Sequence, residues 1–291
     1  MIFNKSFKEK AYAKINLYLD VTARRTDGYH NIRSVMQTVS LCDMIELELT
    51  ETVGDFLTCN VKEIPTDGSN LAIKAVNAFR NAMGAYFGTR IHIEKNIPSC
   101  AGMAGGSSDA AAVLRLLQRL LETDIPNEKM IEIAASIGAD VPFCFLGGTM
   151  LAEDRGERLT ALSPCPKMHC VAVIKGEGIS TPWAYSRLDA EFGDFSSTGS
   201  GDNLDALICA LQKSDRQGIK NNLYNIFEAV VEPERPEIGK LKRLMLSCGA
   251  SSVLMSGSGP SVFGIFEDEA SAKKALETIS EYGADAYYCT T

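Results

Sequence analysis

Three kinds of residue in this sequence have the chemistry of a site: a cluster of glycines and hydroxyls, a lysine and an aspartate. Gly102, Gly105 and Gly106 lead into Ser107, Ser108 and Asp109. Glycines remove the side chains that keep a ligand off the backbone, and serine and aspartate are favoured helix N-caps. Behind them Ala110, Val113, Leu114, Leu117 and Leu121 recur at three- and four-residue steps, while Arg115, Gln118 and Arg119 face the other way. That period predicts an amphipathic helix. Its N-terminus would present unpaired N–H groups and the positive end of the helix dipole, an anion site for which phosphate is the expected ligand. The plainer reading is a flexible turn capped by serine. On the phosphate reading, a bulky side chain at Gly105 should block binding. The spacing departs from the commoner phosphate loops. Gly106 stands where a Walker A loop has lysine, residues 102–106 do not fit G-x-G-x-x-G, and the H-R-D and D-F-G triplets of protein kinases are missing.

The other candidates lie on segments of definite character. Over residues 11–21, Ala13, Ile15, Leu17, Leu19 and Val21 alternate with Tyr12, Lys14, Asn16, Tyr18 and Asp20, the period of a strand with one core face. Its polar face reads equally as a solvated surface or as a wall turned toward a ligand. Asp27-Gly28 marks a turn, followed at once by Tyr29 and His30. A histidine there is ordinarily a surface or a satisfied residue, although an aromatic beside it can grip a planar base. Asp140 falls in Ala139-Asp140-Val141-Pro142-Phe143. Pro142 is expected to push Val141 into an extended conformation and so hold Asp140 at a sharp junction, as a turn residue or as a carboxylate aimed at a site.

These residues need elements to position them. Residues 91–93 read as a strand, and Pro98 interrupts any ladder. Residues 34–41 and 44–49 are strand-like. Asn70 caps a helix carrying Leu71, Ala75, Ala78, Phe79 and Ala82, closed by Gly84. Pro126 and Asn127 start a helix lined by Met130, Ile131, Ala134 and Ile137, ending at Gly138. Gly147-Gly148 leads into a strand over 149–152, and a soft boundary near Gly156 divides the chain into 1–156 and 157–291. Beyond it come a buried strand over 170–175 and a helix started by Ser180-Thr181-Pro182 that carries Trp183 and Tyr185. A mobile loop follows over 192–202, then helices over 203–211 and part of 223–231. The last third reads as helix (238–247), strand (252–255), glycine turn, strand (261–266), helix (269–282) and short strand. That order predicts an α+β sandwich with helices on one face of a sheet. The turn Ser256-Gly257-Ser258-Gly259-Pro260 holds more glycine than a hairpin requires, which points to the close approach of a ligand or another backbone.

Composition narrows the function classes. With 45% hydrophobic and 23% charged residues the chain is ordinary globular protein. A net charge of -8 without a basic run argues against nucleic acid and anionic membrane as partners. An acidic protein that binds phosphate must do so with local backbone dipoles, a few cations and a metal. The nine cysteines show no C-x-x-C and no metal-ligand spacing; they read as ordinary thiols of a reducing, cytoplasmic protein. The N-terminal residues lack the apolar core of a signal peptide, and no apolar run is long enough to span a bilayer.

Three segments now align: Lys14 with Asn16 on an early strand, Pro98-x-x-x-Gly102-x-x-Gly105-Gly106-Ser107-Ser108 before a helix, and Gly257-Ser258-Gly259-Pro260 between late strands. In this order and spacing the chain resembles the superfamily of galactokinase, homoserine kinase, mevalonate kinase and phosphomevalonate kinase, the GHMP kinases. Arg25-Thr26-Asp27-Gly28-Tyr29-His30 and Gly138-Ala139-Asp140-Val141-Pro142 resemble the branch whose small-molecule substrate is a cytidine diphosphate-linked methylerythritol. The resemblance implies a two-domain α+β fold, with an N-terminal ribosomal-protein-S5-domain-2-like α/β domain and a C-terminal ferredoxin-like sandwich. It implies ATP and Mg2+ as cofactors, and phosphorylation of the substrate's 2-hydroxyl in non-mevalonate isoprenoid precursor synthesis, by a monomer or weak homodimer.

The same resemblance assigns roles. Lys14 and Asp140 would be catalytic. Pro98, Ser99, Cys100, Ala101, Gly102, Met103, Ala104, Gly105, Gly106, Ser107 and Ser108 would cradle the nucleotide, with Asn70 and Lys95 beside it and Mg2+ reached through Ser107 or Ser108. Asn16, Tyr29, His30 and Tyr185 would contact the substrate, Tyr185 by stacking on the base. One position departs from the pattern: the superfamily usually has glycine where Ala104 stands. A methyl there would crowd a phosphate if the backbone takes φ > 0. The rival readings are a kinase of homoserine or mevalonate, whose substrates have no base for Tyr29, His30 and Tyr185 to hold, and a nucleotide-binding regulator without catalysis, which has no use for Lys14 with Asp140.

Overall fold

The computed structural model describes residues 6–52, 54–193, 195 and 201–291, the side chains of 201 and 202 excepted. The chain is α+β and divides into two compact units, each assembled from separate segments. The first comprises Met1–Ala13, Cys42–Ser99 and Ala104–Leu146; the second comprises Lys14–Leu41, Cys100–Met103 and Gly147–Thr291. Two long strands, β1 (Ser6–Arg24) and β2 (His30–Thr50), each run from one unit into the other.

The first unit adds β3 (Asp55–Cys59), α1 (Leu71–Met83), β4 (Gly88–Glu94), α2 (Gly105–Leu120), α3 (Asn127–Ile137) and α4 (Val141–Leu146). Strand β4 pairs antiparallel with β2 and parallel with β3, so Ile91 stands beside Leu47 and Leu57. Ile91 and Ile93 are buried while Arg90, His92 and Glu94 are exposed, the two-residue period of a sheet with one face in the core. Helix α2 packs against α1 and α4, and α1 also meets α3. The apolar stripe predicted for α2 is buried, and Ala111, Ala112 and Leu116 are buried beside it, so the helix is enclosed over more than one face. Helix α1 has the expected ends. Asn70 Oδ1 accepts the Ala72 N–H at 2.9 Å, and Gly84 closes the helix in the left-handed region at φ 59°.

One local expectation fails here. Val141 is not extended: it opens α4, with Pro142 in the first turn. The proline costs nothing there, because an N–H in a first helical turn has no intrahelical partner to lose. Asp140 is therefore the residue just before a short helix, and its carbonyl accepts the Cys144 N–H at 3.0 Å.

The second unit contains β5 (Thr149–Asp154), β6 (Arg158–Ala161), β7 (His169–Ile174), α5 (Thr181–Phe192), α6 (Gly201–Gln212), α7 (Arg216–Asn221), β8 (Tyr224–Asn225), α8 (Glu228–Glu234), α9 (Pro236–Ser247), β9 (Ser252–Met255), β10 (Val262–Phe266), α10 (Glu269–Glu281) and β11 (Asp285–Thr290). The early part of β2 pairs with β5, β5 with β6, and β8 lies parallel to β1. A four-stranded antiparallel sheet, ordered β11-β7-β10-β9, carries α9 and α10. Its core includes Val171, Val173, Val262, Phe266, Ile238, Leu241 and Ile279. Gly156 falls in the β5–β6 turn, inside this unit, because β5 pairs with β2. Of the loop expected over 192–202, residues 194 and 196–200 lie outside the described residues. Among the described residues no helix is long and apolar enough to cross a membrane.

The Asn70 cap makes a measurable claim. Asn70→Ala should lower the unfolding free energy by about 1 kcal/mol, and Asn70→Ser, which keeps a capping acceptor and sets no carboxylate against the Pro65 carbonyl, by less. Urea unfolding of both variants checks this; equal losses would show that the cap is not what Asn70 contributes.

Candidate active site

In the first unit the glycine-rich segment ends in an uncapped helix. Ala104 occupies the N-cap position at φ 57° and ψ 31°, with no side-chain cap bond, and α2 begins at Gly105. Ser107, Ser108 and Asp109 therefore lie inside the helix and do not cap it, contrary to expectation. The Ser108 hydroxyl donates to the Tyr12 carbonyl of β1, and the Ser108 N–H makes the first helical bond, to Ala104 O at 2.9 Å. The N–H groups of Gly105, Gly106 and Ser107 precede that bond and have no intrahelical acceptor. Gly106 is exposed and Ser107 half-buried, so this end of the helix is open to a ligand. The condition set for Ala104 is met: its backbone takes φ > 0 and carries a methyl where glycine would be unstrained.

Lys95 approaches this turn from below. It is buried at the end of β4, and its Nζ donates to Asp43 Oδ2 at 2.5 Å and to Asp109 Oδ2 at 2.7 Å. Asp43 Oδ1 accepts the backbone N–H groups of Asn96 and Ile97 at 2.6 and 2.7 Å. Burial pushes the Asp109 carboxyl up to about 7, with the Lys95 charge opposing and the Asp43 charge adding to the rise. For Lys95, burial works against the charged form, but Asp109 and Asp43 outweigh it and leave the ammonium raised. The Lys95 backbone is held by Asn60, which accepts its N–H at 2.7 Å and donates to its carbonyl at 3.3 Å. Both ends of the Asn70 amide are engaged within its own turn: Oδ1 caps α1 and Nδ2 donates to the Pro65 carbonyl. Asp140 also belongs to this unit and is half-buried before α4.

In the second unit, residues 100–103 lie against the glycine turn after β9. A Cβ on Gly102 would stand 2.3 Å from the Ser256 carbonyl oxygen, and one on Gly257 would stand 3.3 Å from Gly102. The excess glycine predicted in that turn thus admits another backbone, this one. Ser256 Oγ donates to the Gly102 carbonyl, and the Lys14 N–H donates to the Met103 carbonyl, each at 3.1 Å. Asn225, which nothing in the sequence singled out, clamps the turn by donating to Met255 O and Gly257 O at 2.7 and 2.8 Å.

From Lys14 on, the polar face of β1 is not solvated; Tyr12 before it is 40% exposed. Lys14, Asn16, Tyr18 and Asp20 are all at most 4% exposed. Lys14 Nζ donates to Asn16 Oδ1 at 2.7 Å, Asn16 Nδ2 to Ser34 Oγ at 2.8 Å, and Ser34 Oγ to the Tyr18 carbonyl at 2.7 Å. His30 is also buried, a satisfied residue and not a surface one. Its Nε2 meets Asp189 Oδ1 at 2.7 Å, and its ring stacks on Tyr185 at 4.6 Å, with Phe195 edge-on at 5.6 Å. A carboxylate oxygen accepts, so Nε2 carries the hydrogen, and in the neutral imidazole Nδ1 is then the acceptor. Tyr29 is 59% exposed beside this group, with the Arg155 guanidinium over its ring. Residues paired from distant parts of the sequence thus come together in each unit: Lys95 with α2 in one, His30 with Tyr185 in the other. Asp189 has no sequence signal beyond lying one helical turn after Tyr185.

Residues 70–148 match the GHMP kinases N terminal domain, and residues 207–285 match the GHMP kinases C terminal domain. The chain belongs to the GHMP kinase family. It is 42% identical to the 4-diphosphocytidyl-2-C-methyl-D-erythritol kinase of Caldicellulosiruptor bescii, with 98% of each chain covered. It is 41% identical to that of Exiguobacterium sibiricum, covering 96% of this chain and 95% of the relative. A crystal structure of 4-(cytidine 5'-diphospho)-2C-methyl-D-erythritol kinase superposes with a TM-score of 0.82 at 33% identity, covering 98% of both chains. Homoserine kinase from Cytophaga hutchinsonii shares the fold, with a TM-score of 0.77 at 20% identity over 99% of this chain and 96% of that one.

This GHMP kinase is thus a small-molecule kinase whose glycine segment starts a helix from an alanine in the left-handed region. That conformation costs an L-residue roughly 1–2 kcal/mol and glycine little. Ala104→Gly should therefore raise the unfolding free energy by about 0.5–1 kcal/mol, after the entropy glycine adds to the unfolded chain. Chemical denaturation measures it. A loss of stability would mean that the methyl makes contacts worth more than the strain.

Proposed function

We propose that this GHMP kinase transfers the γ-phosphoryl group of ATP to the 2-hydroxyl of 4-diphosphocytidyl-2-C-methyl-D-erythritol, a step of non-mevalonate isoprenoid precursor synthesis. The observation that carries the reading is the 42% identity, over 98% of each chain, to a kinase named for that substrate. ATP with Mg2+ supplies the phosphoryl group and the charge neutralisation that transfer needs. The unclaimed N–H groups at the start of α2 suit phosphate oxygens, and the half-buried Ser107 hydroxyl beside them suits the metal. Ser108 is the poorer ligand, since its side chain is buried and its hydroxyl lies against the Tyr12 carbonyl.

The chain's own residues then divide the work. Asp140 orients the attacking hydroxyl and takes its proton late, as a loose phosphoryl-transfer transition state permits. Lys14, held by Asn16, stabilises the oxygens of the group in transit. His30 presents Nδ1 as an acceptor because Asp189 holds Nε2–H, and an acceptor suits the exocyclic amine of cytosine, not the carbonyl oxygen of uracil. Tyr185 and Tyr29 supply aromatic surface for the base.

A phosphoryl-transfer assay with the cytidylyl substrate beside mevalonate and homoserine tests the assignment; comparable turnover of either of the latter would overturn it. Asp140→Asn should lower kcat by about 10²–10⁴-fold with little change in ATP affinity. The uridine analogue should be a far poorer substrate, by up to roughly 10⁴-fold, since it leaves the His30 acceptor facing another acceptor. Equal use of both bases would remove His30 from base recognition.

A further inference from the structure

Lys95 has no chemical task in the reaction proposed above, yet its setting is costly. The Lys95 side chain is 5% exposed, and those of Asp43 and Asp109 are 0% and 4%. Three ionisable groups leave water together, which is tolerated only with close pairing and hydrogen bonding. The ammonium has three hydrogens, and two go to the two carboxylates. One carboxylate, Asp43, is fixed to the backbone of residues 96 and 97; the other, Asp109, sits one turn inside α2. Asp109 Oδ1 is buried without a hydrogen-bond partner, while its Oδ2 accepts from Lys95.

Directly above the ammonium lies Gly105. A Cβ built there would stand 2.9 Å from Lys95 Nζ and 3.1 Å from Ile97 Cγ2. Gly105 does not take a positive φ, so its backbone conformation would suit any residue. As the first residue of a helix it would ordinarily be better as alanine. Space, and not backbone conformation, then favours glycine at 105, and the clamped ammonium of Lys95 is nearest to that space.

We propose that Lys95 is a positioning residue for the phosphate-binding turn: clamped by Asp43 and Asp109, its ammonium forms the floor on which Gly105 rests and sets where the first N–H groups of α2 point. This rests on the reading that those N–H groups receive the phosphates of ATP. Gly105 then serves Lys95 as much as it serves the nucleotide, and a bulky substitution at 105 would strike the lysine whether or not ATP is bound.

The test is a double-mutant cycle. Gly105→Ala is made in the wild-type protein and in the Lys95→Met, Asp109→Asn background, which removes the ammonium and leaves Asp43 on its two backbone N–H groups. In the wild-type background the substitution should lower Tm and weaken ATP binding by roughly tenfold, with affinity for the cytidylyl substrate changed less than about twofold. In the second background it should leave Tm unlowered and cost less than about twofold in ATP affinity. The same loss of ATP affinity in both backgrounds, no loss in either, or a Tm effect without an ATP effect would each overturn the proposal. Asp109→Asn alone, which keeps Lys95 on Asp43, gives an independent reading if the double variant does not fold. It should raise KM for ATP by about three- to tenfold while kcat moves less than twofold, and an unchanged KM overturns the proposal. Failure of the wild-type protein to bind ATP would instead refute the phosphate reading of the turn, and the Tm half of the cycle would still decide whether Lys95 is the floor of Gly105.

Discussion

Helix α2 starts without a side-chain cap, and the anion-binding role proposed for it follows from that. In α1, α7 and α10 the side chain of Asn70, Asp215 or Asp268 claims one of the first N–H groups. Here the chain turns into the helix through Ala104 in the left-handed region, and Ser108, which could have served as a cap, spends its hydroxyl on Tyr12 of β1. The N–H groups of the first turn are left for a ligand. A helix end in this state is unfavourable by itself, since exposed donors and a strained alanine both cost free energy. Burial of the rest of α2, with Val113, Leu114, Leu116 and Leu117 all enclosed, offsets that cost and holds the turn open.

The glycines of the segment divide between different physical demands. Gly102 has φ 71° and lies against Ser256, where a side chain would meet a carbonyl oxygen. Gly105 has an ordinary backbone and lies against Lys95. Only Gly106 is free of such neighbours, with Leu71 at an ordinary 3.5 Å, and it is also the exposed one. A motif that reads as one phosphate loop is therefore built from residues chosen for their contacts with protein as well as for the approach of a ligand. The turn at 256–260 follows the same logic, with Asn225 holding its carbonyls so that its glycines can admit the backbone of residues 100–103.

The polar groups around His30 and Lys14 are likewise arranged by partners. Asp189 sets which nitrogen of His30 can accept, and Tyr185 covers one face of the same imidazole. Lys14 is oriented by Asn16, which is oriented by Ser34. Each chain of bonds fixes a side chain that would otherwise sample several rotamers, which is what a site needs if binding energy is to go into the reaction and not into ordering its own groups.

Much of this was legible in the sequence. The alternation in β1 and β4, the stripe of α2, the Asn70 and Gly84 ends of α1 and the order of elements from α9 to β11 are local patterns, set by period and cap chemistry that act over a few residues. The short pieces β3, β6 and α7 were not, because four to six residues carry too little periodicity to stand out from turns. Pro142 was misread because a proline blocks a helix interior but fits a first turn, and only the packing of α4 decides which applies. The sequence alone also carried the family, since its motifs depend on order and spacing. Tertiary structure decided what the polar residues do. Whether Lys14 faced solvent, whether His30 lay at the surface, and why Gly105 is glycine depended on Ser34, Asp189, Asp43 and Asp109, partners 14 to 159 positions away that no local pattern connects.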